Sequence, residues 1–125
     1  MKIDWGLGSV AAYIPRENRP YIECLFSTAG DEKYGVTDVF GFGTLANSRP
    51  VFVATMTFPT PYRAVKWATN HGVADKIQFV HPCPEIPGTA CIQVTVDDVV
   101  MGRIWDMIDR GKIKCESGEP NADLG

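Results

Sequence analysis

The sequence feature that most constrains the fold is a change of pattern within "MTFPTPYRAVKWATNHG", residues 56–72. A β-rich run stops at Pro59, and after Thr60 a second proline opens a helical pattern. Threonine is a preferred helix N-cap, proline fits the first helical position, and Gly72 stands where helices end in a left-handed residue. The stretch therefore predicts a strand that ends near residue 58 and a helix over residues 61–71.

Four β-rich runs are found in the first 58 residues. They are separated by polar connectors that contain proline or glycine and are short enough to join antiparallel neighbours. The predicted strands are "SVAAYI" (9–14), "YIECLFST" (21–28), "GVTDVFGFGTL" (35–45) and "PVFVATMTF" (50–58). In the third run, Gly41 and Gly43 share one face of the strand and Phe40 and Phe42 share the other. The space beside the glycines suits a packed helix, a bulge or a flat ligand.

The second half of the chain predicts two more strands and a second helix. The strands are "KIQFVH" (76–81) and "ACIQVTV" (90–96), and the proline-rich "PCPEIPGT" (82–89) between them is expected to be a loop. Asp97 is a natural N-cap for a helix over 98–110 that Gly111 would close. The buried side of this helix is expected to consist of Val100, Ile104, Met107 and Ile108.

The predicted order of elements is ββββαββα, which places the chain in the α+β class. We expect an antiparallel β-meander followed by α-β-β-α, with the helices packed on one face of the sheet. The length of 125 residues and the apolar content of 45% suit a single domain, predicted over residues 1–115. The polar segment 116–125 is expected to be a mobile tail.

Charge and cysteine content restrict the classes of function. A net charge of −3 disfavours binding to duplex DNA, which needs a broad basic surface. No signal-peptide or membrane-spanning run is visible, so a cytoplasmic protein is expected. The four cysteines form no C-x-x-C pair and are expected to be reduced and mostly buried. His81, Cys83 and Cys91 could supply three metal ligands, but they lack the spacing of known zinc sites, so neither metal nor cofactor is expected.

Established catalytic motifs are not found in the sequence. His71 is expected at a helix C-terminus, where a cation interacts well with the helix dipole. His81 could act as a general base and Asp98 is a free carboxylate, but neither has a visible nucleophile beside it. The chain is therefore expected not to be an enzyme.

The strand-to-helix corner is the best candidate for a binding site. A helix N-terminus offers free N–H groups and a partial positive charge to an anion. Thr60 could donate its hydroxyl, while Arg63 and Lys66 add cations that suit a phosphate. Phe58 and Tyr62 offer flat apolar surface to a nucleobase. The alternative is that Asp31 or Glu32, in a turn expected beside this corner, neutralises Arg63 and that Tyr62 packs with Trp67 as ordinary core.

Two further groups of arginines could matter. In the predicted meander, Arg16, Arg19 and Arg49 would lie at the opposite end, as a solvated rim or a small positive patch for an anion or a partner subunit. On the second helix, Asp106 is spaced to pair with both Arg103 and Arg110. The other possibility is that Arg103 enters a ligand pocket formed with a neighbouring subunit.

The overall plan of the chain resembles the small phage Thoeris anti-defence proteins of the first type, which act as nucleotide sponges. The resemblance covers roughly residues 9–115 and rests on size, the strand-rich first half, the two amphipathic helices and the absent catalytic set. It implies a homo-oligomer with pockets at its subunit interfaces. It also implies sequestration, without cleavage, of a cyclic ADP-ribose isomer made by a TIR-type immune enzyme, and in some relatives a separate site for cyclic oligonucleotides.

The leading hypothesis is therefore a cytoplasmic phage anti-defence protein that binds a cyclic nucleotide. The expected site is Phe58, Thr60, Tyr62, Arg63 and Lys66, with Arg103 added from a neighbouring subunit. The main alternative is a small phage protein that inhibits a host complex by direct protein–protein binding. A nucleotide-processing enzyme and a binder of single-stranded RNA on exposed strand aromatics are weaker alternatives.

Overall fold

The structure is a computed structural model that describes residues 3–4, 13–37, 39–80 and 88–113. The strands are β1 (Ile3–Asp4), β2 (Val39–Ala46), β3 (Arg49–Phe58), β4 (Ile77–Phe79) and β5 (Ala90–Val96). The helices of eight or more residues are α1 (Arg19–Ser27), α2 (Pro61–Asn70) and α3 (Asp98–Asp109). Short 3₁₀ turns lie at Arg16–Asn18, Thr28–Gly30 and Ala74–Lys76.

The strands form one sheet in the order β1-β2-β3-β5-β4. The four strands from β2 onward pair antiparallel, and the two-residue β1 joins the edge of β2 in parallel. Residues 47 and 48, which connect β2 to β3, both have positive φ, the pattern of a tight hairpin turn. The predicted α+β class is confirmed.

The prediction of a strand over 21–28 is wrong, because this segment belongs to α1. Its aromatic and branched residues favoured a strand, but its apolar positions follow a helical period. Ile22, Leu25 and Phe26 are three and four residues apart and are all buried on one side. Tyr13 and Ile14 are not in a strand either, and residues 9–12 lie outside the described residues. In the described chain, the expected four-stranded meander is therefore reduced to the β2–β3 hairpin and the short β1.

The remaining predicted elements are present where they are described. β4 and β5 lie within the runs expected to be strands, and β2 and β3 each extend one residue beyond theirs, at Ala46 and Arg49. α2 and α3 fall within one residue of their predicted ends. Gly72 and Gly111 have φ of 68° and 74°, as their predicted place after a helix requires. Most of the expected loop 82–89 and the expected tail 116–125 lie outside the described residues.

The three helices described above cover the same face of the sheet; this was predicted for α2 and α3, whereas α1 was not expected to be a helix. Alternate residues of the three long strands are buried in one cluster with the helices, among them Phe52, Met56, Phe58 and Ile92. On the opposite side of these strands the register places side by side Phe40, Phe42, Val53, Thr55, Gln93 and Thr95.

The space above Gly41 is filled by the ring of Phe52, which reaches across from β3. A Cβ built on Gly41 would lie only 2.0 Å from Phe52 Cζ. Phe52 is fully buried and packs on Phe26 with ring centroids 5.8 Å apart. A side chain of the sheet itself therefore occupies the room that the sequence left open to a helix, a bulge or a flat ligand.

Helix α2 is held to the rest of the core by Trp67. This fully buried ring stacks on Phe26 at 5.7 Å, and its Nε1–H donates to Thr28 Oγ1 at 3.0 Å. The expectation that Trp67 packs between helix and sheet is confirmed. Because the indole ring is packed against Phe26 and its N–H is hydrogen-bonded, the orientation of α2 on the sheet is well defined.

Helix α3 begins at Asp97 as predicted. Asp97 Oδ1 accepts from the Val100 N–H at 3.0 Å, while Oδ2 accepts from Lys76 Nζ at 2.7 Å. Burial opposes ionisation, but these two donors outweigh it and lower the pKa of Asp97. The predicted buried side is confirmed: two of its members are fully buried and two are half-buried against the core, namely Val100, Ile104, Met107 and Ile108.

Cys24 is disulfide-bonded, so the expectation of reduced cysteines is wrong for this residue, whereas Cys91 keeps its thiol outside any disulfide. In the described ranges no helix has both the length and the apolar character needed to cross a membrane.

Candidate functional site

The N-terminal turn of α2 forms as the sequence predicts. Thr60 has an extended backbone (φ −145°, ψ 155°), and its Oγ1 accepts from the Arg63 N–H at 3.2 Å. Pro61, the first helical residue, has no N–H to satisfy. The Tyr62 N–H then remains as the one peptide donor of this turn that neither the helix nor the cap satisfies, and no acceptor for it lies among the described residues.

The two cations of this turn have no carboxylate partner in the part of the chain that the structure describes. Lys66 Nζ lies 5.9 Å from the centroid of the Tyr62 ring, which places a positive charge beside an aromatic face. Asp31 and Glu32 make no ion pair with Arg63, so the predicted neutralisation is absent among the described side chains. The Tyr62 N–H, the guanidinium and the ammonium are therefore three donor groups that have no acceptor among the described residues.

The turn that contains Asp31 and Glu32 does lie beside α2, as expected, although the meander from which this was deduced does not exist. A Cβ built on Gly35 would lie 3.0 Å from both Arg63 Nη1 and Pro59 Cγ. Gly35 has φ 77°, a conformation that suits glycine. The bare backbone at Gly35 therefore lets the guanidinium pack directly against the loop. Sequence reasoning missed this glycine, although "KYG" is a recognisable turn pattern.

The two aromatic residues of the predicted site differ in their exposure. Tyr62 is 71% exposed, so its ring is open to a ligand and does not pack in the core. Phe58 is fully buried and lies against Trp67 with ring centroids 6.0 Å apart. The prediction that Phe58 offers a surface to a base is wrong, because the alternation of β3 directs this residue to the helix-covered face.

Arg103 does not belong to this cluster within the chain. Its Nη1 donates to Gly72 O at 2.7 Å and pairs with Asp75 at 2.8 Å, while Nη2 reaches the same carboxylate at 3.2 Å. This forked contact lowers the pKa of Asp75 and raises that of Arg103. Gly72 follows the C-terminal end of α2, so Arg103 lies at the opposite end of the helix from Thr60. The guanidinium therefore ties α3 to α2.

His71 closes α2 as a buried, uncharged side chain. Its Nδ1 lies 2.7 Å from Trp67 O, its ring stacks on Trp67, and Tyr34 meets it edge-on. Burial lowers the pKa of His71 and outweighs the hydrogen bond to Trp67 O, which raises it; the charge of Lys33 also lowers this pKa, and that of Asp31 raises it more weakly. The structural role is as predicted, but the expected cation on the helix dipole is wrong, because this site favours the neutral imidazole.

The remaining candidates are dispersed. Arg110 pairs with Asp106 at 3.1 Å, as predicted for that pair, whereas Arg103 does not. Arg49 Nη1 forms an ion pair with Asp98 Oδ2 at 3.3 Å, so the carboxylate of Asp98 also has a partner. Arg16 and Arg19 start the α1 region, so the meander from which the arginine rim was deduced does not exist.

Metal ligation and catalysis have no assembled site in the ranges that the structure describes. Those residues contain no group of three or more His, Cys, Asp or Glu side chains placed to hold a metal ion. His81 and Cys83 lie outside the described residues, so their possible role with Cys91 stays a prediction. Cys91 itself sits 3.3 Å from Thr57 Oγ1.

Comparison with known proteins gives no relative for this arrangement: no family model matches the chain, and neither the curated proteins nor the solved structures include a match.

Proposed function

We propose that the chain is a non-catalytic binding protein that holds a phosphorylated nucleotide at the N-terminal turn of α2. The observation that carries the proposal is the set of three donors without an acceptor among the described residues: the Tyr62 N–H, the Arg63 guanidinium and the Lys66 ammonium. A helix N-terminus with adjacent cations is a recurrent way to bind phosphate. Arg63 supplies the planar fork that matches two phosphate oxygens.

The exposed ring of Tyr62 supplies the second half of a nucleotide site. It stands beside the cations and is not used by the core, so a base or ribose could pack on it. Thr60 keeps its O–H as a possible donor, since its oxygen already accepts from the Arg63 N–H. The site therefore consists of Thr60, Tyr62, Arg63 and Lys66, without Phe58 and Arg103.

The specific ligand that we propose is a cyclic nucleotide immune signal, a cyclic ADP-ribose isomer made by a TIR-type defence enzyme. Sequestration of such a signal requires cations for the phosphates, a ring for the base and tight ground-state binding. It requires no nucleophile, and none with a partnering base is found in the described part of this corner. The protein would then act as a phage anti-defence sponge in the host cytoplasm.

The test is thermal denaturation of the chain with cyclic ADP-ribose isomers, cyclic di- and trinucleotides and linear controls. A ligand at a hundred times its Kd stabilises the native state by about 2.7 kcal/mol, which raises the midpoint by several degrees. The ligand is then released by heating and its mass is measured. Intact ligand supports sequestration, and a product of altered mass would show an enzyme.

Three variants place the site. Removal of a charged hydrogen-bonding partner costs about 1.5–3 kcal/mol, so Arg63→Ala should weaken binding by about 10- to 100-fold. Arg110→Ala removes the same charge from the solvent side of α3 and should leave the affinity unchanged. Arg103→Ala should also bind normally. Normal affinity in Arg63→Ala, or loss of binding only in Arg103→Ala, would show that the ligand lies elsewhere.

A second candidate is direct inhibition of a host protein complex, and Trp105 is the observation in its favour. This tryptophan on α3 is 45% exposed and meets Tyr21 of α1 edge-on at 6.0 Å. Exposed tryptophan beside tyrosine is typical of the side chains that dominate protein interfaces. Stoichiometric capture of one host protein that Trp105→Ala abolishes, with no response to nucleotides, would favour this candidate.

A further inference from the structure

The segment 31–36, which we call the strap, packs on the C-terminal end of α2 through Tyr34. This residue is 1% exposed and meets the ring of His71 edge-on, with the ring centroids 5.7 Å apart. Its hydroxyl accepts from Asn70 Nδ2 at 3.0 Å. We propose that protonation of His71 in mild acid releases the strap from α2. This inference does not depend on the nucleotide site.

The imidazole of His71 is enclosed on two sides by aromatic rings. It is 8% exposed and stacks on Trp67 at 5.2 Å, while the uncharged phenol ring of Tyr34 lies on another side. Nδ1 is 2.7 Å from Trp67 O, and because a carbonyl only accepts, the proton of the neutral ring lies on Nδ1. A second proton must therefore be added at Nε2, which creates a cation between aromatic rings. Burial of a charge is costly unless the charge is paired.

The charged groups around His71 do not supply a partner for that cation. On the strap, Lys33 repels it and Asp31 attracts it more weakly, and both of these side chains are exposed. The helix itself contributes a carbonyl oxygen. On α3, Arg103 reaches the residue after His71, but its charge is paired with Asp75 at 2.8 Å. In the described ranges no carboxylate forms an ion pair with His71, and burial holds its pKa below the ordinary value.

The direction of the pH effect follows from the two states of the strap. When the strap is released, the His71 ring is exposed and has an ordinary pKa near 6.5. When the strap is packed on α2, the ring resists the proton. The packed strap is therefore fully favoured above about pH 6.5, and the ratio of released to packed strap rises by up to about tenfold per pH unit below it. This rise ends at the pH where the packed imidazole itself becomes protonated.

Release of the strap also affects the other end of α2. Gly35 follows Tyr34 directly, and a Cβ built on it would lie 3.0 Å from both Arg63 Nη1 and Pro59 Cγ. The released strap would no longer offer the backbone against which the guanidinium packs. Protonation at the C-terminal end of the helix would therefore change the surroundings of Arg63 at the first turn, whether or not this turn binds a nucleotide.

The experiment is NMR of the full chain from about pH 7.5 to about pH 4.5, which brackets the ordinary histidine pKa. The nuclear Overhauser effect between the rings of Tyr34 and His71 should weaken as the pH falls, while those between β2 and β3 persist. His71→Phe keeps an aromatic ring that takes up no proton, so its contact with Tyr34 should be the same at every pH. His81→Gln removes the second of the two histidines of the chain and should leave the response unchanged.

Two exposed residues of the strap test the charge without altering the ring, and they keep the test valid if His71→Phe does not fold. Lys33→Gln removes a repulsion of the imidazolium, so release should require a lower pH. Asp31→Asn removes an attraction, so release should begin at a higher pH. Opposite shifts in the two variants are expected only if the group that titrates lies beside the strap.

Four results would overturn the proposal. The first is a His71 ring that titrates while its contact with Tyr34 stays intact. The second is an equal loss of the contact in His71→Phe, and the third is loss of the response in His81→Gln. The fourth is disappearance of the β2–β3 contacts at the same pH, because the chain would then unfold as a whole and not at the strap.

Discussion

Substitution of Gly41 by alanine tests whether the gap in the third predicted strand is filled by the core or kept for a ligand. The added Cβ would lie 2.0 Å from Phe52 Cζ and 2.6 Å from Cε2, whereas carbon atoms in contact keep about 3.5–4.0 Å. The ring cannot move outward freely, because Phe52 is fully buried and rests on Phe26. The methyl group must therefore displace the ring or the backbone.

The expected magnitude follows from two opposing effects. Overpacking of a core costs about 1–3 kcal/mol, and alanine in place of glycine recovers about 0.4–1 kcal/mol by restricting the unfolded chain. A net loss of about 1–2 kcal/mol is expected in the free energy of unfolding. With a denaturant slope of about 1–3 kcal/mol per molar urea, the midpoint should fall by roughly 1 M.

Gly102 provides the matched control, because the same chemical change should have the opposite sign there. It lies within α3, is exposed, and a Cβ built on it meets nothing within 4 Å. Alanine is favoured over glycine in a helix by about 1 kcal/mol, so Gly102→Ala should raise the midpoint.

The assay is urea unfolding followed by tryptophan fluorescence for the wild type, Gly41→Ala, Gly102→Ala and the pair Gly41→Ala with Phe52→Leu. The smaller leucine should remove part of the clash, so the double variant should lose less stability than the sum of the two single changes. If the free energy of unfolding of Gly41→Ala lies within about 0.5 kcal/mol of the wild-type value, which is the usual range for surface changes, then the ring of Phe52 does not fill the space over Gly41. The space over Gly41 would then again be a candidate site for a flat ligand.

Three further predictions concern the ends of α2 and α3. As the pH falls below 6.5, the unfolded chain takes up a proton that folded His71 resists, so the free energy of unfolding should fall by at most about 1.4 kcal/mol per pH unit. The slope of this free energy against pH, between about pH 6.5 and about pH 5.5, should be smaller in His71→Phe than in the wild type. An equal slope in both proteins would show that His71 is not the group responsible. Thr60→Ala should lose about 1 kcal/mol through the missing cap, while Thr60→Ser, which keeps the hydroxyl, should stay near the wild type in the same urea titration. Asp97→Ala should cost more than Thr60→Ala, because it also frees Lys76, and the reverse order would contradict the role of that ion pair.

The predictions that succeeded rest on signals contained within a few neighbouring residues. Thr60 with Pro61, and Asp97 before its apolar helix, define the starts of α2 and α3 because capping is a local hydrogen-bonding problem. The hairpin strands β2 and β3 follow from alternation, and that alternation also placed Phe40 and Phe42 together. Residues 21–27 have the composition of a strand but belong to a helix, and the local signal for the helix is the spacing of Ile22, Leu25 and Phe26.

The residues of the candidate site differ in whether a local pattern or a long-range contact determines their place. Tyr62, Arg63 and Lys66 could be named because they follow a recognisable helix start. Phe58 was misjudged because its burial depends on which side of the sheet the helices cover. Arg103 pairs within the chain with Gly72 and Asp75, which are about thirty residues away in the sequence, so local spacing could not indicate these partners. Its role in a neighbouring subunit stays a prediction.

Local sequence patterns are enough to specify the helix starts, the turn glycines, the strand alternation and the cluster of donors on one turn. These depend on backbone conformation and hydrogen bonds between residues a few positions apart. Long-range packing instead determines that Phe52 fills the space over Gly41, that His71 is buried beside Trp67, and that Arg63 packs against Gly35. Each of these depends on contacts between segments distant in the chain, whose packing is fixed by the shape of the whole core.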